Sequence, residues 1–219
     1  MTGFTDRVAQ GILAHIVGKT SIFTLPTASV ALFTSVGTDA GSGFTEPSGG
    51  GYARVATAGA DWNSASGSGP SIISNANPIA FPTATANWGN IIAFGLYDAL
   101  TAGNLLAWDF FGSFNWMPAT VSAASPAVLT AHAHGFIAAD LVEWSVEYGG
   151  TNPTFSQSNF TGPLTVASPS TDTFTTTNGA TAVNTSATGN GMVRKLTVQA
   201  INSGVQASFP ASSLSITAA

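Results

Sequence analysis

The chain has 219 residues, and Asp, Glu, Lys and Arg together make up only 7% of them, against about 25% in a typical soluble domain. Ten acids outweigh five bases, giving a net charge of −5 and a pI near 4.8, which excludes the clustered cations of a nucleic-acid surface. With no Cys there is no disulfide, thiolate nucleophile or Cys-based zinc site. No apolar run reaches the roughly 18 residues of a membrane span. The first residues, Met1-Thr-Gly-Phe-Thr-Asp-Arg7, are read as lacking a signal peptide's basic start and apolar block. Fourteen Phe, five Trp and three Tyr are enough for a sizeable core. A low-charge surface coated with Thr, Ser and Asn tends to self-associate unless partners cover it, so the composition suits a subunit of an assembly.

The first element in chain order is an amphipathic helix over 5–18. Thr5 stands at its N-cap, Asp6 complements the dipole, and Gly18 ends it. Val8, Ile12, Leu13, Ile16 and Val17 recur at helical spacing. This apolar face must pack on the body of the protein or on a neighbouring subunit. After the helix the pattern turns to β and stays there. Strands are expected at 29–34, 52–57, 72–81 with an interruption, 91–97 and 105–111. The last two form a hairpin through the Gly103-Asn104 turn. From Val121 the composition shifts to Thr, Ser and Asn, with strand candidates near 128–136, 140–148, 160–166 and 172–177. The closing segment, 194–219, is again like the first part of the chain. The expected fold is mainly β: an antiparallel β-sandwich or barrel with one N-terminal helix and an inserted small β module. The main domain is residues 1–120 plus 193–219, and the module is 121–192, since insertions are tolerated at exposed loop tips.

The run Glu46-Pro-Ser-Gly-Gly-Gly-Tyr-Ala-Arg54 resembles a motif of tailed-bacteriophage virion proteins, in which an SGGGYAR-like element precedes a strand. Phe81 to Gly89, Ile92 to Asp98 and Ala102 to Asp109 are similar to further elements of those chains. So is the ending with Ile201-Asn-Ser-Gly204, Phe209, Ala211, Leu214, Ile216 and Thr217. The likeness covers about 1–118 and 194–219. Within the module, His134-Gly-Phe136, Asp140, Val142 and Tyr148-Gly-Gly150 resemble a second phage pattern, with Ala139 where that pattern has Gly. The resemblance implies a non-enzymatic virion structural protein.

The candidate chemistry points the same way. His132 and His134 have a spacing that can bind metal on a strand, yet they are read as polar residues beside a turn before Gly135. Glu143 and Glu147, on one strand, would stand roughly 13 Å apart at about 3.3 Å per residue. That is too wide for a glycosidase pair, whose carboxyls lie within about 9.5 Å. No metal, cofactor or catalytic residue is therefore expected. Asp98 and Asp109 are read as turn residues. Arg54, the last cation before Arg194, either pairs with Glu46 or Asp61 across an interface or is a plain surface Arg. The five Trp residues are read as core or interface plugs, with a sugar-stacking surface as the alternative. Interface candidates are Val8, Ile12, Leu13, Ile16, Tyr52, Arg54 and Trp88.

A modest length, the absence of a fibrous stalk and a short terminal helix lead to a capsid decoration (cement) protein on the outer head surface. It would be a homotrimer with the major capsid protein as partner, assembled into the virion in the host bacterial cytoplasm. The alternative is a tail or neck fibre, or a receptor-binding adhesin whose module touches a host surface glycan. The module 121–192 holds no cation but carries Asp140, Glu143, Glu147 and Asp172. It is read as the solvent-facing part, and the main body as the part fitted to neighbours.

Overall fold

The computed structural model describes residues 3–19, 27–38, 40–67, 71–111, 116–145 and 163–218. The chain divides into two units, Met1–Asp109 with Gln199–Ala219, and Phe110–Val198. Described elements of the leading segment are β1 (Gly3–Phe4), α1 (Asp6–Ile16), β2 (Ser29–Phe33), β3 (Val55–Ala56), β4 (Ser71–Ser74), β5 (Ile79–Thr83), β6 (Gly89–Ile91), β7 (Ala93–Tyr97) and β8 (Leu105–Phe110). Next come β9 (Met117–Val121), β10 (Val128–Thr130), β11 (Leu141–Ser145), β12 (Leu164–Ala167), β13 (Thr173–Asn178), β14 (Thr181–Ala182) and β15 (Gly189–Lys195). The chain closes with β16 (Gln199–Ile201), β17 (Gln206–Phe209) and β18 (Ser215–Ala218). The fold is mainly β with one N-terminal helix, as the sequence pattern requires.

In the first unit, a five-stranded sheet runs β1-β8-β7-β2-β3. All five residues of β2 are buried. Its unbroken Val-Ala-Leu-Phe run is the signature of a strand covered on both faces. Three two-stranded ribbons complete the unit: β16 with β6, β17 with β5 and β18 with β4. The C-terminal segment thus returns along β6, β5 and β4 in reverse chain order, all antiparallel. This nested pairing binds the two chain segments of the unit together across the intervening 110–198.

Three strand expectations change here. Only Val55 and Ala56 of 52–57 form a strand, because Gly49, Gly50 and Gly51 all have positive φ and Tyr52 N–H bonds the Gly49 carbonyl, making a turn. The stretch 91–97 breaks at Ile92, whose N–H goes to the Phe33 carbonyl, so β6 and β7 serve different partners. The interrupted strand at 72–81 is two strands, β4 and β5, separated by Asn75. Asn75 is fully buried. Its Nδ2 donates to the Asn77 and Pro210 carbonyls at 2.8 and 2.7 Å, and its Oδ1 accepts from Leu214 N–H at 2.8 Å.

The second unit is a closed antiparallel barrel of six strands, β10-β9-β15-β11-β12-β13, with β13 returning to β10 and β14 appended to β13. Side chains fill it, as a small barrel demands: Leu129, Phe136, Val142, Trp144, Leu164, Val166, Phe174 and Val193 form one buried cluster. Alternation along β11 and β12 puts Val142, Trp144, Leu164 and Val166 inside. β9 and β15 straddle the junctions expected at 120 and 193, and both are barrel strands. A shift in composition marks where cations begin, whereas a strand ends where its ladder does.

Candidate functional site

α1 is the first candidate. Thr5 occupies the N-cap position, but its hydroxyl makes no cap bond. It donates instead to the Leu105 carbonyl of β8 at 2.9 Å, while Thr5 N–H bonds Leu106. The side chain thus ties the helix start to the sheet. At the other end, Gly18 at φ +69° allows a Schellman stop, with Gly18 N–H to His15 O and Lys19 N–H to Ala14 O. Both ends are therefore fixed. Val8 and Gly11 face inward and are buried. Leu13, Ile16 and Val17 are 66, 72 and 74% exposed, and Ile12 is also exposed. The apolar face runs almost entirely to the outside.

The second candidate is the cluster around the Gly49–Gly51 turn. Arg54 forms a fork to Glu46, with Nε to Oε1 at 3.0 Å and Nη2 to Oε1 at 2.6 Å. Its Nη1 donates to the Ala99 and Ala102 carbonyls of the β7–β8 turn. The guanidinium carbon lies 3.4 Å from the Tyr97 ring centroid, a cation–π contact. Tyr52 Oη donates to Glu46 at 2.8 Å and accepts from Leu32 N–H at 2.9 Å. Burial pushes the Tyr52 hydroxyl far up and the Tyr97 hydroxyl up. Burial works against the charged Arg54, but Glu46 outweighs it and raises the guanidinium above its usual value. Trp88 packs edge-on against Tyr52 at 5.2 Å and donates to the Gly50 carbonyl at 2.8 Å. A Cβ on Gly50 would meet Trp88 Cδ1 at 2.9 Å, which is why glycine stands there. Tyr52, Arg54 and Trp88 thus spend their polar groups within their own unit. Of the two acids offered for Arg54, Glu46 is the partner. Asp61 instead accepts from Ala58 N–H and Asn77, which hold its carboxyl below the usual range.

The barrel has its own charged pairs. Arg194, 3% exposed, holds Glu143 through Nε and Nη2, both at 2.7 Å, and lies over the Trp116 ring at 4.8 Å. Lys195 holds Asp140 at 2.7 Å. The barrel therefore contains two cations, which the composition boundary at 192 had left outside. His132 and His134 lie in a turn before Gly135, not on a strand. His132 is exposed and touches Asp172 at 3.0 Å. His134 is buried, its Nδ1 accepting from Phe136 N–H at 2.9 Å and its ring packed on Phe136 and Phe174. Glu147, the Tyr148-Gly-Gly150 element and the start of the 160–166 strand lie outside the described residues. Trp88, Trp108 and Trp144 are buried, which leaves them no face for stacking sugars.

Against this geometry stands one family match. The model of the podophage GP4 fiber I protein gp80 family matches residues 3–125, more than half of the chain. The chain belongs to that family. The matched segment of this gp80-family chain contains α1, the Glu46–Arg54 cluster and every strand from β1 to β9. Membership makes it a phage virion structural protein of the fibre-like kind, and the coarse part of the resemblance read from the SGGGYAR run stands. No curated protein matches this chain.

Sequence reasoning found the phage virion class and the helix. It left open which acid holds Arg54, and it missed Asn75, Arg194 and Lys195. Asn75 follows two isoleucines and a serine and carries no signal of burial. Glu46 did carry one: an acid eight residues before Arg54, the last cation ahead of a long cation-free stretch, with glycines between to fold the chain back.

Proposed function

We propose that this chain is a fibre subunit of a podophage virion, acting by contact with other virion proteins and catalysing no reaction. The family match over 3–125 carries the reading. Two further features support it. α1 presents its apolar side chains outward from a firmly fixed helix. The carboxylates of Glu46, Asp61, Asp98, Asp140, Glu143 and Asp172 are each committed to a local ion pair or hydrogen bond. A fibre role replaces head decoration as the leading reading because the matched family is described by its fibre and not by the head. Copy number and position separate the two. Quantitative gels of purified particles, with immunogold labelling, should find few copies outside the head shell. Saturation of a lattice site on the outer head at high copy number would restore the decoration reading.

A further inference from the structure

We propose that Asn178, at the β13–β14 turn of the barrel, is a site of spontaneous covalent modification. Its side-chain amide is lost through a cyclic imide, which leaves a mixture of aspartyl and isoaspartyl residues. The chain carries the dipeptide best suited to this chemistry twice, as Asn178-Gly179 and Asn190-Gly191. Glycine suits the second place because it has no side chain to shield the attacking amide nitrogen. By sequence the two pairs are alike, and the fold separates them.

Asn178 closes β13, and its rung with Thr181 is the end of the β13–β14 ladder. Gly179 and Ala180 make the turn between them. Gly179 has φ +59° and takes the first central place, where a two-residue hairpin favours glycine. Asn178, Gly179, Ala180, Thr181 and Ala182 are all exposed. A Cβ built on Gly179 would meet nothing within 4 Å. Ring closure needs rotation about the Asn178 Cα–C bond, to bring Cγ onto the Gly179 nitrogen. Here that rotation disturbs one terminal rung and displaces only solvent. Asn190 lies inside β15 instead, where Gly189 to Val193 pair with β9 without a break. Gly191 is buried, and a Cβ on it would run into the Ser145 carbonyl oxygen and the Trp144 ring. The same rotation at Asn190 breaks an inner ladder, so it must wait for the barrel to open.

The reaction needs only water and solvent base. The Gly179 nitrogen gives its proton to base and attacks Cγ of Asn178. A C–N bond forms, the Cγ–Nδ2 bond breaks, and Nδ2 takes a proton from solvent and leaves as ammonia. Water then opens the imide. Attack at Cγ gives aspartate; attack at the main-chain carbonyl gives isoaspartate, with the chain running through the side-chain carbon. One water enters and one ammonia departs. Either product makes the net charge of −5 one unit more negative. Arg194 and Lys195 already hold Glu143 and Asp140, so the new carboxylate draws on solvent. Isoaspartate also lengthens the main chain by one carbon, and the rung with Thr181 no longer fits. The turn therefore frays with age, wherever the protein sits on the particle.

The full chain, held in warm, mildly alkaline buffer either folded or in urea, tests this by peptide mass spectrometry of both pairs. In the folded protein Asn178 should convert more than about tenfold faster than Asn190. In urea the two rates should come together. Labelling by an isoaspartyl methyltransferase should find isoaspartate at position 178, the mark of the cyclic imide. N178Q, checked for folding by circular dichroism, should lose the early acidic shift in isoelectric focusing. An Asn178 that stays intact in the folded chain while converting in urea would overturn the proposal. So would equal rates at the two asparagines in the folded chain, or aspartate formed without isoaspartate.

Discussion

At the residue scale, Arg54 ties three separate stretches of chain together: Glu46, the β7–β8 turn and the Tyr97 ring. Its removal leaves a largely buried carboxylate without its fork. Arg54→Ala should lower stability by about 2–3 kcal/mol, read from denaturant unfolding. Tyr52 and Tyr97 add a pH dependence of definite sign. Burial raises both hydroxyls, so above the unfolded tyrosine value of about 10 the unfolded chain loses protons that the folded chain keeps. Stability is then fully present below about pH 10 and falls as pH rises beyond it. Tyr52→Phe should flatten that fall, leaving the part due to Tyr97. An alkaline fall as steep in the variant as in the parent would remove Tyr52 from the account.

At the element scale, two glycines hold strands where a side chain would not fit. Gly191 of β15 lies across from Ala119 of β9 in the barrel ladder. A Cβ there would meet the Ser145 carbonyl oxygen at 2.3 Å and the Trp144 ring at 2.7 Å. Gly191→Ala should destabilise the barrel by about 2–3 kcal/mol, seen as a lowered melting temperature. Gly103 serves the β7–β8 turn. It has φ +74°, and an added Cβ would lie 2.5 Å from Asp98 Oδ1. Asp98 there accepts from the backbone and side-chain N–H groups of Asn104. Burial opposes its ionised form, but those bonds outweigh burial and hold the carboxyl below its usual value. This contribution is present above the unfolded value and is lost as pH falls through the lowered one. Asp98→Ala should cost about 1–2 kcal/mol at neutral pH and progressively less as acid protonates the folded carboxyl; a loss that stays constant through that titration would contradict it. The hairpin was legible because Gly-Asn between two apolar runs names its own turn. The 52–57 strand is shorter than its alternation implies because alternation alone cannot see that three glycines curl the chain first.

At the scale of the whole molecule, the described core contacts fall into two units with separate hydrophobic interiors. Calorimetry should therefore resolve two transitions, one lowered by Arg54→Ala and the other by Arg194→Ala. A single transition moved by both variants would show that the units melt as one.

Composition and local pattern by themselves determined the mainly β fold, the N-terminal helix and a strand over 29–34, one residue longer than β2, and the resemblance of contiguous motifs supplied the virion class. Each rests on neighbours in sequence: helical spacing, an unbroken apolar run, or a contiguous motif. Only the tertiary structure decided that Glu46 takes Arg54, that 199–218 pairs back onto β6, β5 and β4, and that six strands close into a barrel. Those contacts join residues far apart along the chain, and a strand's sequence records its faces, not its neighbours. The low charge of 7% is sharpened in the same way. Four of the five cations have an assigned electrostatic partner: Arg54 with Glu46, Arg194 with Glu143, Lys195 with Asp140 and Arg7 beside Asp98. Lys19 is exposed at the end of α1.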